Sequence, residues 1–148
     1  MDWLAKMLGL PEEFLHSSPG MGGGVIQTTC SEATFCCMLA ARTQAIKRHQ
    51  EQFSEDSDAM INCKLVAYCS DQAHSSMDKA ANICLIKLRK IESDDDSSLR
   101  ADILHEFIEE DRKNGLIPFF VGATLGTTGV CAFDNLNNLG PICKLDLL

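Results

Sequence analysis

Apolar residues follow two different spacings along this chain, one typical of helices and one typical of buried strands. Residues 1–10 carry apolar side chains at helical spacing, so this opening segment is predicted to form an amphipathic helix that ends before Pro11. Residues 31–49 also show helical spacing and end in a basic turn, which predicts a long, mostly buried helix. A further amphipathic helix is predicted from Leu99 to the stop signal at Asn114 and Gly115.

Three short apolar runs indicate buried strands, at residues 65–69, 86–91 and 117–124. Between the first two, a helix is predicted to begin at Ser75 or Ser76 and to end at Cys84, while the polar segment 51–58 is predicted to be a surface loop. Strands that alternate with helices in this way favour a mainly parallel sheet with helices on both faces. The predicted fold class is therefore α/β.

Length and charge narrow the classes of function. The chain has 148 residues, of which 45% are apolar, enough for one hydrophobic core and thus one domain or part of one. A net charge of −8 with only 13 basic residues disfavours nucleic acid and anionic lipid as partners. No apolar run reaches the ~18 residues of a membrane span, so no membrane association is expected.

Metal and disulfide chemistry is not favoured by the sequence. The eight cysteines form no CxxC pair and lie mostly in apolar runs, which is typical of a reduced, cytoplasmic protein that uses cysteine as a small apolar residue. No histidine follows a cysteine at the spacing of a zinc site. The acidic run 92–98 lacks the glycine and the distal glutamate of an EF-hand, so it is interpreted as a solvated turn.

Three polar segments are expected at the carboxyl ends of the strands, where ligands bind in such sheets. Residues 22–32 combine glycines with a helix start at Ser31, which suits a phosphate, although such a segment is more commonly a plain turn with a serine cap. His74 follows the first strand and could be a base, a metal ligand, a stacking surface or a hydrogen-bonded structural residue. Thr127 and Thr128 follow the third strand in a turn that presents two hydroxyl groups.

Long motifs in the same order resemble one enzyme family. The stretches GGGVIQ, LVAYCSDQAHSS and GLIPFFVGATLGTTGVCAFDNLNNLGPIC are similar to the pyridoxal-phosphate-dependent group II (aromatic amino acid) decarboxylases, and the similarity covers nearly the whole chain. The opening MDWLAKMLGLPEEFLH and the LNNLGPIC end most resemble the branch of that family that acts on histidine. The resemblance implies part of the large domain of a fold-type I, aspartate aminotransferase-like enzyme.

The resemblance also implies roles for particular residues. His74 matches the histidine that stacks on the pyridine ring of the cofactor beside the substrate, and Thr128 matches a threonine that contacts the cofactor. Cys30 and Ser31 lie where the family binds the phosphate, although family members usually have a smaller residue at the position of Cys30. Related aldehyde-forming enzymes carry Asn at the position of His74, so its presence favours straight decarboxylation. Besides pyridoxal 5'-phosphate, the resemblance implies a homodimer; no metal site is predicted, because of the cysteine and histidine spacing given above.

The resemblance further implies that residues 1–148 are a partial large domain. The family's N-terminal helical segment, the aspartate that pairs with the pyridine nitrogen and the Schiff-base lysine match no part of this sequence. The expected activity is that of a decarboxylase fragment whose parent converts an aromatic amino acid, histidine first, to its amine and carbon dioxide. Two alternatives remain: an aromatic-L-amino-acid decarboxylase acting on dopa or tyrosine, or a non-catalytic chain that pairs with a full-length subunit.

Overall fold

The computed structural model describes residues 1–20, 22–53 and 55–146, with side chains described as far as Lys144. The chain divides into two compact units, Met1–Ala33 and Thr34–Leu148, each of which is described by itself. The elements of the first unit are helix α1 (Asp2–Met7), a 3-10 turn (Glu12–Phe14) and the first residues of helix α2 (Cys30–Gln52).

The first unit is organised by its N-terminal segment. Helix α1 confirms the predicted opening helix, and Gly9 at φ +67° follows it. The carboxylate of Asp2 accepts hydrogen bonds from the backbone N–H groups of His16 (2.8 Å) and Ser17 (3.2 Å). These bonds hold the pKa of Asp2 below its ordinary value, chiefly through the His16 amide. The acidic start of the chain therefore fixes the turn that leads toward the glycine-rich segment.

The second unit is a parallel α/β layer. After α2 come α3 (Asp58–Lys64), β1 (Leu65–Ser70), α4 (Ser76–Cys84), β2 (Lys87–Ile91), α5 (Ala101–Lys113), β3 (Ile117–Gly122) and α6 (Leu136–Asp146). The strand order is β2-β1-β3, and β1 pairs in parallel with both neighbours. The predicted α/β class, the three strands and their parallel arrangement are confirmed.

The central strand β1 separates two hydrophobic clusters. All six of its residues are buried, and successive side chains point to opposite faces of the sheet. Leu65, Ala67 and Cys69 belong to the cluster formed with α2, α3 and α4. Val66 and Tyr68 belong to the cluster formed with α5 and α6. Helices therefore cover both faces, as the continuous apolar run of β1 predicts.

One ionic network lies inside the second cluster. Asp111 of α5 is completely buried, and its carboxylate accepts hydrogen bonds from the Tyr68 hydroxyl (2.9 Å) and from the Arg89 guanidinium (Nε to Oδ2, 2.5 Å). Burial, followed by the bond to Asp111, raises the pKa of Tyr68 well above its ordinary value. The network joins β1, β2 and α5 through their side chains.

The boundaries between polar and helical segments differ from the prediction. Helix α2 continues past the basic turn to Gln52, and α3 begins at Asp58, capped by Ser57, whose Oγ accepts the Met60 amide at 3.4 Å. The predicted loop 51–58 is therefore shorter among the described residues, and Ser54 lies outside them. The physical reason is that its polar residues serve the helix ends: Asp56 bonds His49 (3.0 Å) and Lys64 (3.4 Å).

Candidate cofactor site

Two of the predicted polar segments leave the sheet at the same edge. Strands β1 and β3 are parallel neighbours, with Cys69 opposite Gly122 at their carboxyl ends. The segment with His74 follows β1, and the segment with Thr127 and Thr128 follows β3. The structure thus brings these two segments to the carboxyl edge of one sheet, where α/β proteins place their ligand sites.

His74 combines an exposed ring with a fixed orientation. Its Nδ1 accepts a hydrogen bond from the backbone N–H of Ser76 (3.1 Å), at the first residue of α4. A neutral ring that accepts at Nδ1 carries its proton on Nε2. The helix begins at Ser76 with Ser75 in the cap position, as predicted, but Ser75 makes no side-chain capping bond. The imidazole performs that task through the i to i+2 geometry also used by Asn and Asp.

The segment after β3 forms a closed loop with one exposed hydroxyl at its tip. Leu125 and Phe133 form an antiparallel bridge, and Gly126 N–H donates to Ala132 C=O (2.8 Å). The hydroxyl of Thr127 accepts the Ala132 amide at 3.0 Å, whereas Thr128 is exposed. Of the two hydroxyls that the sequence predicts to be presented, Thr127 is used within the loop and Thr128 is displayed.

A glycine allows α4 to approach β3. A Cβ atom at Gly122 would lie 2.5 Å from Cε and 2.7 Å from Sδ of Met77, so a larger residue would displace that buried side chain. This glycine was not singled out from sequence, since its neighbour on α4 lies far away along the chain. Close packing here fixes the start of α4, and with it His74, against the end of β3.

Two carboxylates at this edge were also missed. Asp134 is completely buried and accepts the backbone N–H groups of Leu99 (2.8 Å) and Thr124 (2.6 Å). Asp71 accepts the Ser93 amide at 3.2 Å. Partial burial opposes ionisation of Asp71, but the bond from Ser93 lowers its pKa below the ordinary value. In the sequence, each of these residues is marked only as an aspartate beside an apolar run, which is a weak signal that its carboxylate accepts backbone N–H groups.

Helix α2 begins one residue earlier than predicted, in the first unit. Thr29 is the capping residue, since its Oγ1 accepts the Glu32 amide (3.2 Å) and its C=O accepts the Ala33 amide (3.1 Å). Ser31 therefore lies in the first turn and is not the cap. Cys30 is exposed and Ser31 is half-buried. The Glu32 amide of this first turn is bonded to Thr29, and the positive end of the helix dipole is suited to an anion.

The glycine run has a different explanation from the one its sequence suggests. A Cβ atom at Gly22 would lie 2.0 Å from the Glu13 carbonyl oxygen, and one at Gly23, where φ is +143°, would lie 2.6 Å from the His16 ring. The Nε2 atom of His16 lies 3.0 Å from the carbonyl oxygen of Gly24. These glycines allow close approach to the turn that precedes them, which is one structural reason for the run.

Thiol and metal chemistry offer no further candidate near His74. Burial raises the pKa of the Cys69 thiol to about 11, so this group at the end of β1 stays protonated near neutral pH. Within residues 1–20, 22–53 and 55–146 no group of three His, Cys, Asp or Glu side chains is arranged to hold a metal ion. In the same ranges no helix is both long and apolar enough to cross a membrane.

A parallel sheet with helices on both faces and polar loops at its carboxyl edge defines a ligand-binding α/β domain. Residues 1–147 match the family model described as the pyridoxal-dependent decarboxylase conserved domain. The chain belongs to the pyridoxal-dependent decarboxylase family. Solved structures of such decarboxylases, which have the type I fold, share this architecture.

Individual relatives show the extent of the match. Histidine decarboxylase of Drosophila melanogaster is 60% identical over 144 residues, which are 97% of this chain and 17% of that protein. Aromatic-L-amino-acid decarboxylase of Mus musculus is 57% identical over 97% of this chain and 30% of its own length. The structure of Catharanthus roseus tryptophan decarboxylase in complex with L-tryptophan superposes with a TM-score of 0.80 at 38% identity, over 98% of this chain and 30% of that one. The chain thus spans less than a third of the length of each.

Proposed function

We propose that this chain is a partial large domain of a decarboxylase that converts an aromatic amino acid, histidine first, to its amine and carbon dioxide with pyridoxal 5'-phosphate. The observation that carries the proposal is His74, which presents an exposed imidazole at the carboxyl edge of the sheet while its Nδ1 is held by the Ser76 amide. The family match over residues 1–147 supports it.

The residues present suit the cofactor chemically. Ser31 offers a hydroxyl and Cys30 lies in the same first helical turn, whose amides and positive dipole end favour a phosphate. The exposed ring of His74 offers a flat surface for an aromatic ring, and the exposed Thr128 offers a hydroxyl. When bound, pyridoxal phosphate supplies an electron sink for the pair left behind as the carboxylate departs. We assign cofactor binding to Cys30, Ser31, His74 and Thr128 on these grounds.

His74 is proposed as the catalytic residue of this part of the chain. Because Nδ1 is occupied by the Ser76 amide, the proton that the neutral ring can donate or exchange is the one on Nε2. The Ser76 amide therefore fixes both the tautomer and the orientation of the His74 ring before any ligand binds. Such preorganisation favours proton transfer by a side chain that works near neutral pH.

Substrate choice is the part of the proposal that needs the sharpest test. The identities to a histidine decarboxylase and to an aromatic-L-amino-acid decarboxylase, 60% and 57%, are close, so dopa and tyrosine are the competing substrates. The proposal also includes a homodimer in the cytoplasm, as the family resemblance implies.

The test is a substrate comparison on the protein expressed from its full reading frame. Purified protein is supplied with pyridoxal phosphate and, separately, with L-histidine, L-dopa or L-tyrosine, and amine and carbon dioxide are measured. We expect kcat/KM to be largest for histidine and one carbon dioxide to form per amine. A larger value for dopa would favour the alternative substrate class, and absence of amine from all three would overturn the proposal. Gel filtration with light scattering tests the dimer.

A further inference from the structure

The buried carboxylate of Asp134 closes the loop that carries Thr128. Its Oδ2 accepts the Thr124 amide at 2.6 Å, while its own N–H donates to the Thr124 carbonyl at 2.8 Å. Within the loop, Cys131 N–H donates to Thr127 C=O at 3.0 Å, and Ala132 N–H donates to the Thr127 hydroxyl. The loop 124–134 is therefore pinned at its base by Asp134 and braced inside by Thr127, with Thr128 exposed near its tip.

The second oxygen of Asp134 ties this loop to the segment after β2. Oδ1 accepts the Leu99 amide at 2.8 Å, although Leu99 lies 35 residues away in sequence. The preceding turn is shaped by Asp94, whose Oδ1 accepts the amides of Asp96 (3.1 Å) and Ser98 (2.8 Å). The acidic run 92–98 is thus an ordered connection built from carboxylate-to-amide bonds.

The same segment is bonded to the loop that carries His74. Asp71 N–H donates to the Ile91 carbonyl at 2.9 Å, and the Asp71 carboxylate accepts the Ser93 amide at 3.2 Å. A continuous series of bonds therefore runs from the His74 loop, through residues 91–99, to the Thr128 loop. Aspartate carboxylates supply the acceptor at both junctions.

We propose that Asp134 is a positioning residue that sets the Thr128 loop relative to the other carboxyl-edge loops, with segment 92–99 as the connection. This proposal rests on the proposed function, because the position of the loop affects cofactor binding only if Thr128 contacts the cofactor. Both Asp134 oxygens face N–H donors, so a carboxylate is required: the isosteric amide of Asn would turn an N–H₂ group toward one of them. Two charge-assisted bonds in a buried site make the loop geometry depend on this one side chain.

The experiment compares Asp134→Asn, Thr128→Ala and Thr127→Val with the control Glu106→Gln, an exposed residue of α5 outside these segments with the same change of charge. All are made in the protein expressed from its full reading frame. Amide hydrogen exchange is measured without cofactor, and the dissociation constant of pyridoxal phosphate is measured separately, together with kcat at saturating cofactor. For Asp134→Asn we expect about tenfold faster exchange confined to segments 92–99 and 124–133, and about tenfold weaker cofactor binding.

The variants separate the two proposals. Thr128→Ala should weaken cofactor binding without changing amide exchange. If cofactor binding is not weakened, the proposed role of Thr128 is wrong. The exchange measured for Asp134→Asn still tests whether Asp134 holds the loop. Should Asp134→Asn fail to fold, Thr127→Val loosens the same loop and is expected to weaken binding in the same way. Three outcomes for Asp134→Asn would each overturn the positioning role. The first is faster exchange throughout β1, and the second is unchanged exchange. The third is faster exchange in the loop with unchanged cofactor affinity, when Thr128→Ala does weaken cofactor binding. Glu106→Gln should match the unmodified protein in every measurement.

Discussion

At the scale of single residues, His74 serves the fold through one ring nitrogen, and the proposed function uses the rest of its ring. Its Nδ1 caps the first amide of α4, which leaves the ring face and Nε2 for other partners. A residue that only capped the helix could be Asn, Asp or Ser, which are smaller and do so well. The choice of an aromatic ring at an exposed position therefore points to a ligand.

This double use predicts different outcomes for two substitutions of His74. His74→Ala removes the acceptor and should cost about 0.5–1.5 kcal/mol of stability, the scale of one neutral hydrogen bond. His74→Asn can keep the bond to the Ser76 amide through its side-chain oxygen, so its stability should stay near that of the unmodified protein. Both should depress amine formation, and His74→Asn should divert turnover toward an aldehyde.

Denaturant unfolding and product analysis by mass spectrometry check these expectations. Ser75→Ala is the matched control, since Ser75 is exposed and makes no capping bond. Unchanged amine yield in His74→Asn, with neither aldehyde nor peroxide, would contradict the proposed role of the ring.

Ser31 can be tested in the same manner. If its hydroxyl binds the cofactor phosphate, Ser31→Ala should weaken binding by roughly 1–3 kcal/mol, the range for a hydrogen bond to a charged group. Helix stability should change little, because the cap is supplied by Thr29. Equilibrium titration with pyridoxal phosphate measures the change, and an unaltered dissociation constant would restrict Ser31 to a structural role.

Sequence analysis could find a site residue only where the residues that it contacts lie nearby along the chain. His74, Ser31 and Thr128 follow apolar runs or open a helix, signals that lie within a few positions, and the family resemblance supplied their predicted roles. Asp134 was missed because its partner Leu99 lies 35 residues away, and nothing local distinguishes it from the other acidic residues. The contacts of the glycine run also lie outside the run itself, since the atoms that exclude a Cβ belong to Glu13 and His16.

At the scale of elements, periodicity predicted the three strands and helices α1, α2, α4 and α5, whereas α3 and α6 were not predicted. The residues of α3 are interrupted by polar side chains, and α6 contains Pro141, a residue that ordinarily argues against a helix. Both helices are formed where packing supplies what the local pattern lacks: Ile61 of α3 and Leu139 of α6 are buried in the two clusters.

The contact between β1 and α5 predicts a pH dependence. Tyr68 is completely buried, and its pKa lies above the ordinary value near 10 because burial and the Asp111 bond favour the neutral phenol. Above about pH 10 an unfolded chain loses this proton while the folded chain keeps it, so stability should fall as pH rises, by up to about 1.4 kcal/mol per pH unit. The stabilisation is present in full below pH 10.

Comparison with Tyr68→Phe separates the contribution of the Tyr68 hydroxyl to stability from that of the other groups that titrate in alkali. The difference in unfolding free energy between the unmodified protein and Tyr68→Phe should be largest at pH 8, at roughly 1.5–3 kcal/mol for a bond to a charged acceptor, and should shrink from pH 10 to 11. Urea unfolding at each pH gives the two values. A difference that stays constant to pH 11 would show that the phenol does not hold its proton in the folded state.

At the scale of the whole molecule, the described residues supply a sheet edge and a helix start, and the lysine Lys90 near that edge is bonded to a carboxylate. Lysine acts as a nucleophile only when its amine is uncharged. Lys90 lies near the carboxyl end of β2, but its Nζ bonds the Asp78 carboxylate at 2.9 Å, which raises its pKa and keeps it charged. From the family resemblance, none of the lysines in this sequence matches the Schiff-base lysine.

Residues 1–148 produced by themselves are therefore expected to release no carbon dioxide from carboxyl-labelled L-histidine above a control with pyridoxal phosphate alone. Much of the rate of covalent catalysis comes from holding an amine close to the cofactor in a site shielded from water. Without that amine, turnover should be abolished even if His74 is correctly placed. The protein from the full reading frame, assayed at equal concentration, is the positive control. Saturable release of label by residues 1–148 would mean that one of the lysines at positions 6, 47, 64, 79, 87, 90, 113 or 144 takes that role. Single Lys→Arg variants would then identify which one, because the guanidinium keeps the charge but cannot act as the nucleophile.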